Sequence, residues 1–469
     1  MYKVAAIALS VLFVVALVCS FLGLVVYSPL EMIASLLVLG FSVWLTSLVF
    51  AVLFRIRAHP ESSFITALIL FFVLSPTVEL SGLVALGLVG AIAGASKFIL
   101  AYQGRHIFNP VAIAAVIAGL TGITSASWWV GTPLLVIPTV LLGAAILIKT
   151  RRLALAGTFA AIAMVLVFIQ LLNGGQTPSE SAVLLLSWPI LFFASFMLTE
   201  PLTLPGKKWQ QITEAGIVAI IFAVPFGIGD FSTTPALALV MGNLLAFGFM
   251  RRQKIVLTFQ EKKQMTHNTF EFIFAPQKPQ VFQPGQYIEI TVPHAKDDLR
   301  GSRRSFSVTS VPGQDELSLG IKFYEPSSTF KKALMGLEKG MVVQATGISG
   351  DFTLPKDPSL PLLFIAGGIG ITPFVGQLRA LEQRNEKRDI VVLYMVASDA
   401  DVAYHQYLQE TGSKVLVMTH PGKTLQDLVP DIAKRAVYIS GPPAMVDSFK
   451  AQAKKLNVQK IKTDYFIGY

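Results

Sequence analysis

Ten apolar stretches, each within the roughly 15 to 25 residues that suit a bilayer span, follow one another through the first 250 residues, and then the pattern stops. They lie near 5–27, 31–54, 64–79, 82–100, 107–124, 130–148, 153–172, 181–198, 215–229 and 233–250. Their lengths match a hydrocarbon layer, so the expectation is a polytopic α-helical membrane domain of about ten helices. The third and ninth are short enough to be tilted, broken or re-entrant. The first, Ala5 to Tyr27, has only Lys3 before it and is too long for a signal-peptide core, so it reads as a retained helix.

Charge is distributed in the same two regimes. Residues 1–254 hold 13 Lys/Arg and 7 Asp/Glu, whereas 255–469 hold 25 and 21. The 14% of charged residues over the whole chain therefore averages an apolar half with a soluble half. With the N-terminus cytoplasmic, Lys3, Arg55, Arg57, Lys97, Arg105, Lys149, Arg151, Arg152, Lys207, Lys208, Arg251, Arg252 and Lys254 all fall on the cytoplasmic side. Acids such as Glu79, Glu180 and Asp230 are left outside. Positive charge imposes this bias on topology. It predicts an even number of spans, both termini cytoplasmic, and an integral protein of the bacterial inner (plasma) membrane with the lipid bilayer as partner. The net charge of +10 follows from that topology, and no basic tract points to nucleic acid.

The single cysteine, Cys19, lies in an apolar run. That excludes an intramolecular disulfide framework and a four-thiolate iron–sulfur cluster held by one chain; a packed thiol is expected, and no metal site. A transmembrane haem needs facing axial ligands within helices, yet the apolar half has only His59 and His106, both between spans.

Two connections concentrate polar groups. In Gln103-Gly104-Arg105-His106-Ile107-Phe108-Asn109-Pro110, Asn109 is placed to cap a helix whose first turn accepts Pro110. The stretch Phe196-Met197-Leu198-Thr199-Glu200-Pro201-Leu202-Thr203-Leu204-Pro205 ends a span with two hydroxyls and a carboxylate. From the residues alone, capping and loop rigidity account for both.

Together with the run PALALVMGN at Pro235 to Asn243, these elements, in order and spacing across most of residues 60–250, resemble the membrane subunits shared by the Rnf electron-transport complex (its D subunit) and the sodium-translocating NADH:quinone reductase (its B subunit). Glu200 stands where that family usually has Asp. The resemblance implies flavin in the membrane domain, with Arg105, Asn109 and Thr199 as candidate cofactor-binding residues. It also implies FMN esterified to a Thr in a Ser/Thr-Gly-Ala-Thr-Pro-Leu type motif near the outer surface. The matching stretch is Trp128-Trp129-Val130-Gly131-Thr132-Pro133-Leu134, with Thr132 in register, Val-Gly replacing Gly-Ala and the upstream acid missing. Three readings of Thr132 stay open: it carries FMN, it lies beside a noncovalent flavin, or it caps the sixth span with the tryptophans in an interfacial belt.

From Lys254 the chain changes character with almost no linker. Up to about 354 it shows short alternating runs, IVLTF, TFEFIF, QYIEITV, SFSVTS, LSLGIKFY and MVVQATG, punctuated by Gly and Pro, which predicts a small antiparallel β-barrel. From 360 the strands PLLFIAG, DIVVLYMVAS, KVLVMTH and AVYISG alternate with helical stretches, the rhythm of an α/β doubly wound parallel sheet. The expected domains are 1–254, 255–356 and 357–469.

On the barrel, Arg304-Ser305-Phe306-Ser307 puts a pyrophosphate-pairing guanidinium, an aromatic face and a hydroxyl on one strand. Leu363 to Pro373 runs from an apolar strand through Gly367, Gly368 and Gly370 into a helix, with Thr372 as cap and Pro373 in its first turn. Such a turn lets backbone amides and a helix N-terminus meet a phosphate. Tyr438 to Met445, with Gly441 and Pro442, repeats the device.

In this order the three motifs resemble the ferredoxin:NADP+ reductase family across essentially all of 255–469. The resemblance implies FAD on the barrel, with Arg304, Phe306 and Ser307 at the Arg-x-Tyr/Phe-Ser positions. Ser328 and Thr329 match its second flavin-phosphate contact. Gly350 and Phe352 match its Gly-Pro-x-Gly-x-Phe loop, where Ile348 replaces Pro. A nicotinamide nucleotide is implied on the last domain. Ser440 stands at a position that is often Cys beside the nicotinamide, and Phe466 or Tyr469 at the aromatic end that covers the flavin. Asp399 and Asp401 would repel a 2′-phosphate, which favours NADH over NADPH.

The expected function is that of a membrane flavoprotein oxidoreductase. It takes hydride from cytoplasmic NADH onto FAD, which accepts a hydride and releases electrons singly, and passes them through a membrane flavin. The acceptor would be a quinone or an extracytoplasmic flavoprotein. Two alternatives remain: an NADH:quinone reductase whose membrane half is anchor and quinone site, and a redox-sensing membrane transporter.

Overall fold

The structure, a computed structural model, describes residues 2–54, 60–102, 105–224, 226–228, 231–249, 254–292, 294, 303–419 and 424–466. It divides into two compact units, Met1–Arg251 and Arg252–Tyr469.

The first unit is helical: α1 (Tyr2–Phe21), α2 (Pro29–Leu53), α3 (Pro60–Val73), α4 (Leu80–Ile99), α5 (Pro110–Leu120), α6 (Pro133–Thr150), α7 (Leu153–Asn173), α8 (Pro178–Leu185), α9 (Ile190–Phe192), α10 (Lys208–Ala223) and α11 (Pro235–Phe249). Local chemistry sets several starts. Ser28 and Glu31 form a capping box on α2, Thr177 and Glu180 one on α8, and Pro follows each cap. Gly90 and Gly94 let α4 lie close on α2, since a Cβ there would come 3.1 Å from Ser42 and 3.0 Å from the Val43 carbonyl.

Five of these helices, α1, α2, α4, α6 and α7, are long and apolar enough to cross a membrane, and α8 with the segment Ile190–Met197 forms a sixth candidate bent by 43°. The expectation of ten spans of bilayer length is corrected here. The fifth stretch yields only the 11-residue α5, and the third the 14-residue α3. Apolar composition does not distinguish a helix from irregular chain buried in protein. The segment after α5 folds back on the end of α3: Ser127 and Trp128 donate backbone N–H groups to the Val73 carbonyl, and Trp129 Nε1 donates to Phe71 O at 2.6 Å. The ninth stretch is displaced too, because α10 starts at Lys208 and takes Glu214 into its interior.

The unit repeats one plan twice. α2 packs on α4 as α7 packs on α10, and α5 on α4 as α11 on α10. A two-stranded turn joins the last two helices of each half: β1 (Ala101–Tyr102) with β2 (Arg105–His106), then β3 (Gly227–Ile228) with β4 (Phe231–Ser232). The halves meet through α1 on α6 and α5 on α11.

The second unit opens with six antiparallel strands, β5 (Lys254–Thr266), β6 (Thr269–Pro276), β7 (Tyr287–Thr291), β8 (Arg303–Ser307), β9 (Leu317–Lys322) and β10 (Val342–Ser349), in the order β8-β7-β10-β5-β6-β9. A bridge between Val308 and Leu319 ties the ends together into a barrel. Helix α12 (Thr329–Met335) sits between β9 and β10.

A parallel sheet follows: β11 (Leu362–Gly367), β12 (Ile390–Met395), β13 (Lys414–Met418), β14 (Ala436–Gly441) and β15 (Ile461–Tyr465), ordered β13-β12-β11-β14-β15. Helices α13 (Thr372–Gln383), α14 (His405–Glu410), α15 (Leu425–Leu428) and α16 (Pro443–Lys455) connect them. Strand β11 is buried throughout. Leu362, Phe364 and Ala366 join one core with Phe374 and Tyr438, while Leu363 and Ile365 join the other with Val437 and Val446. Helices on both faces require that pattern. The fifth strand, β15, was not expected from the sequence.

Candidate active site

Strand β8 delivers the barrel motif. Arg304 is buried; its Nη1 donates to Arg303 O at 2.7 Å and its guanidinium lies 5.1 Å over the Phe330 ring. Phe306 stacks on the same ring at 6.0 Å. Ser328 caps α12 by accepting from Lys331 N, and Thr329 Oγ1 meets His294 Nε2 at 3.0 Å. Arg304, Phe306, Ser328 and Thr329 thus gather around Phe330. Ser307 is buried in the same strand, opposite Tyr287. Neither Phe330 nor His294 was anticipated from the sequence; each is recognisable only once α12 is folded against β8.

The third barrel element behaves differently. Gly350 takes φ +116° beside the Tyr287 ring. Phe352 is buried, with its ring 5.5 Å from Phe374 and 5.3 Å from Tyr438. The ring thus fills the core of the parallel sheet.

The glycine turn after β11 is a tight 3₁₀ turn, Gly368–Ile371, running into α13. Thr372 does not act as the cap. Its hydroxyl donates back to Ile369 O at 2.9 Å and the residue is fully buried beside Gly320 of β9. Pro373 occupies the first turn as expected. Gly367, Gly370, Gly441 and Pro442 lie where β11 and β14 end side by side. A Cβ on Gly370 would collide with the Ser440 carbonyl, and one on Gly367 would come 3.0 Å from the Pro442 ring. Gly368 faces open space at φ +53°.

Ser440 is fully buried with its hydroxyl unpartnered. Its neighbour in parallel register is Asp464 on β15, and Phe466 N donates to Gly441 O at 2.8 Å. Burial pushes the Asp464 carboxyl up to about 6, against the Tyr465 N–H that favours its anion and with the Asp351 charge disfavouring it. Asp464 is the site residue that sequence reasoning missed; only the fifth strand brings it beside Ser440. Tyr469 lies outside the described residues.

Two joints fix the barrel on the sheet. Glu271 of β6 accepts from Arg379 Nη1 at 2.8 Å, Thr309 Oγ1 at 2.8 Å and Tyr404 Oη at 3.3 Å. Lys322 Nζ meets Asp401 Oδ1 at 2.8 Å, and Ser398 donates to the other oxygen. The expectation that Asp401 repels a 2′-phosphate is corrected: its charge is answered by Lys322, which holds the carboxyl below the usual range. Asp399 remains exposed beside it.

In the helical unit, the two polar connections come together. His106 Nε2 and Glu200 Oε1 are 2.8 Å apart, Asn109 Nδ2 donates to Glu200 Oε2 at 2.9 Å, and Asn109 N donates to Asn243 Oδ1 at 2.7 Å. Asn109 Oδ1 caps α5 through Val111 N and Ala112 N. Thr199 donates its hydroxyl to Ser195 O within the π-helical turn Phe193–Met197 and keeps its acceptor lone pairs. The Arg105 side chain lies outside the described atoms, as does His59. Asn109, Thr199 and Glu200 line a cleft with Ser62, Ile65 and Phe196.

Thr132 starts α6 without a cap hydrogen bond, and its hydroxyl is buried and unpartnered. Trp128 and Trp129 are 7% and 6% exposed. The reading that Thr132 caps the helix while the tryptophans form an interfacial belt is thereby corrected, since both rings are in the core.

Residues 364–420 match the oxidoreductase NAD-binding domain family. The matched segment lies in the parallel sheet of the C-terminal unit, from β11 to β13. Among its relatives, the flavohemoprotein of Halalkalibacterium halodurans is 28% identical over 167 residues, 33% of this chain and 40% of that protein. The reductase component of propane 2-monooxygenase from Rhodococcus jostii is 29% identical over 212 residues, 39% of this chain and 55% of that one. The crystal structure of the Amycolatopsis cytochrome P450 reductase GcoB superposes with a TM-score of 0.42 at 24% identity, covering 46% of this chain and 71% of that one. The chain spans about half the length of the curated relatives it matches. Relatives of this module are named reductase components, and the chain carries an oxidoreductase domain. The residues present fit a dinucleotide: an open backbone at Gly368, close-packed glycines behind it, and an orphan hydroxyl at Ser440.

Proposed function

We propose that this chain is a membrane flavoprotein oxidoreductase that takes electrons from cytoplasmic NADH and passes them through its helical unit to a membrane or outer-side acceptor. The observation that carries the reading is the coexistence, in one chain, of an oxidoreductase NAD-binding domain with helices whose large apolar side chains are unburied. Ile7, Leu37, Phe41 and Ile137 are each more than 60% exposed, a surface suited to lipid.

FAD supplies the conversion of a two-electron donor into single-electron transfer. The chain's own residues do the rest. Arg304 meets the pyrophosphate, Ser328 and Thr329 at the start of α12 add hydroxyls and N–H groups, and Ser307 offers a hydroxyl to the ring. Gly367 to Pro373 and Gly441-Pro442 admit the backbone to the dinucleotide. Ser440 donates to the nicotinamide, and Asp464 holds a proton beside it below about pH 6. Phe466, tied to Gly441, stands at the end of the module. Asp399 disfavours a 2′-phosphate, which supports NADH over NADPH.

In the helical unit we assign the membrane flavin to the cleft at Asn109 and Glu200, which combines apolar walls with a few polar groups. The orphan hydroxyl of Thr132 lies next to a second cleft lined by Trp128, Gly131 and Trp188, which suits FMN, bound covalently or not. An NADH:quinone reductase is the second reading, favoured by the apolar walls of the Glu200 cleft. Flavin counting tests the proposal. The purified chain should stay in washed membranes and hold more than one flavin, whereas a single releasable FAD would remove the relay.

A further inference from the structure

Helix α10 carries a carboxyl group that the proposed electron path does not use. Glu214 is 0% exposed, and neither of its oxygens has a hydrogen-bond partner. Glu200, a half-buried acid of the same unit, is by contrast held by His106 and Asn109. Space for the Glu214 carboxyl is made by Gly242 on α11, where an added Cβ would overlap Val218 and lie 3.5 Å from Glu214 Oε1. The helices packed on α10 bring no ionisable residue within 153–173 or 235–249. Among the described residues, the charged group that acts on the carboxyl is Arg152 at the start of α7, and its guanidinium donates to the Thr199 carbonyl.

An ionised carboxylate without hydrogen bonds in such surroundings is strongly disfavoured, and an apolar residue would pack there at lower cost. Ionisable groups inside apolar helix bundles are functional by default.

We propose that Glu214 is a proton-binding site of the helical unit. It holds one proton while Arg152 is engaged by the Thr199 carbonyl, and releases it when the guanidinium moves across to the carboxylate. In that step the carboxyl O–H bond breaks, its electron pair stays on oxygen, and the proton passes to water at the Lys208 end of α10. Because Thr199 precedes Glu200, an occupant of the cleft at Glu200 biases the position of Arg152 and so the protonation of Glu214. The site stands on the helical unit alone, so its failure leaves the NADH chemistry of the C-terminal unit untouched.

The test treats the full-length protein with a hydrophobic carbodiimide, which attacks protonated carboxyls in apolar surroundings, over a range of pH, and maps the adduct by mass spectrometry. Glu214 should be modified, with labelling lost as pH rises. Arg152→Gln should move that loss to higher pH, and Glu214→Gln should abolish the label while NADH oxidation with a soluble acceptor stays at the wild-type rate. Infrared difference spectra between wild type and Glu214→Gln supply a measurement independent of reagent access: the carbonyl stretch of a protonated carboxyl should be missing from the variant. Absence of that band from the wild type, or a pH dependence that Arg152→Gln leaves unmoved, overturns the proposal.

Discussion

Replacing Glu271 by Gln should destabilise the C-terminal unit by about 3–5 kcal/mol, the usual cost of stranding one member of a buried ion pair. The structure shows why the cost is at that end. Glu271 is 5% exposed and joins the barrel to the sheet through Arg379, Thr309 and Tyr404. In the variant Arg379 keeps an amide oxygen at position 271, the Thr309 carbonyl at 3.1 Å and the faces of Tyr404 and Tyr407, with no counter-charge. At about 2–4 °C per kcal/mol for a unit of this size, thermal release of FAD, followed by flavin fluorescence in the full chain, should fall by roughly 6–20 °C.

The sign with pH follows from the same contacts. Burial pushes the Glu271 carboxyl up, but the hydrogen bond and charge of Arg379, with Thr309 and Tyr404, outweigh it and hold the group below its ordinary 4.5. The wild type therefore has this stabilisation in full above pH 4.5 and loses it as pH falls through the lower folded value. The Glu271→Gln variant should lack that acid transition. The double variant Glu271→Leu/Arg379→Met should recover most of the loss, because no charge is left stranded. A loss under about 1 kcal/mol for Glu271→Gln, or a double variant as unstable as the two single changes combined, would refute the reasoning.

Further outcomes follow from the site. Arg304→Ala should lower FAD occupancy of the purified protein while leaving the helical unit folded, measured as flavin per chain. Asp464→Asn should remove an inflection near pH 6 from the rate of NADH oxidation with a soluble acceptor. Because the folded Asp464 value of about 6 lies above its ordinary 3.8, the wild-type carboxyl costs stability as pH rises through that interval, by at most about 3 kcal/mol at ~1.4 kcal/mol per unit, and the variant should be the more stable at neutral pH. Thr132→Val should leave FAD in place and remove any flavin retained on the denatured polypeptide.

Much of the C-terminal unit was legible in the sequence because its signals are local. Alternating runs mark the barrel strands, and the glycines at 367, 370 and 441 mark turns where a side chain would collide. What escaped depends on tertiary pairing. β15 is a short polar strand, IKTDY, recognisable only against β14, so Asp464 was invisible as a partner of Ser440. Thr372 has the composition of a cap, but its burial against β9 turns the hydroxyl inward. Asp401 looked free until Lys322 arrived from another strand.

In the helical unit, apolar periodicity located the segments without revealing which are long helices, since the stretch 107–124 yields only the 11-residue α5 and the chain beyond it buries Trp128 to Val130 without being helical. The twofold plan of the helices leaves only a faint trace in sequence, Ser75-Pro76-Thr77 after α3 against Glu200-Pro201 after the π-helical turn. Asn109 and Glu200 were singled out as two separate elements; that they share one cluster with His106 and Asn243 is a property of the fold.

The central claim, electron passage from the NADH module through the helical unit, is tested most directly in sealed proteoliposomes of the full chain. NADH is supplied on the side of the C-terminal unit and an impermeant acceptor on the opposite side only. The account predicts reduction of the enclosed acceptor that depends on NADH and is lost in Arg304→Ala. NADH oxidation confined to acceptors on its own side of the bilayer would contradict it.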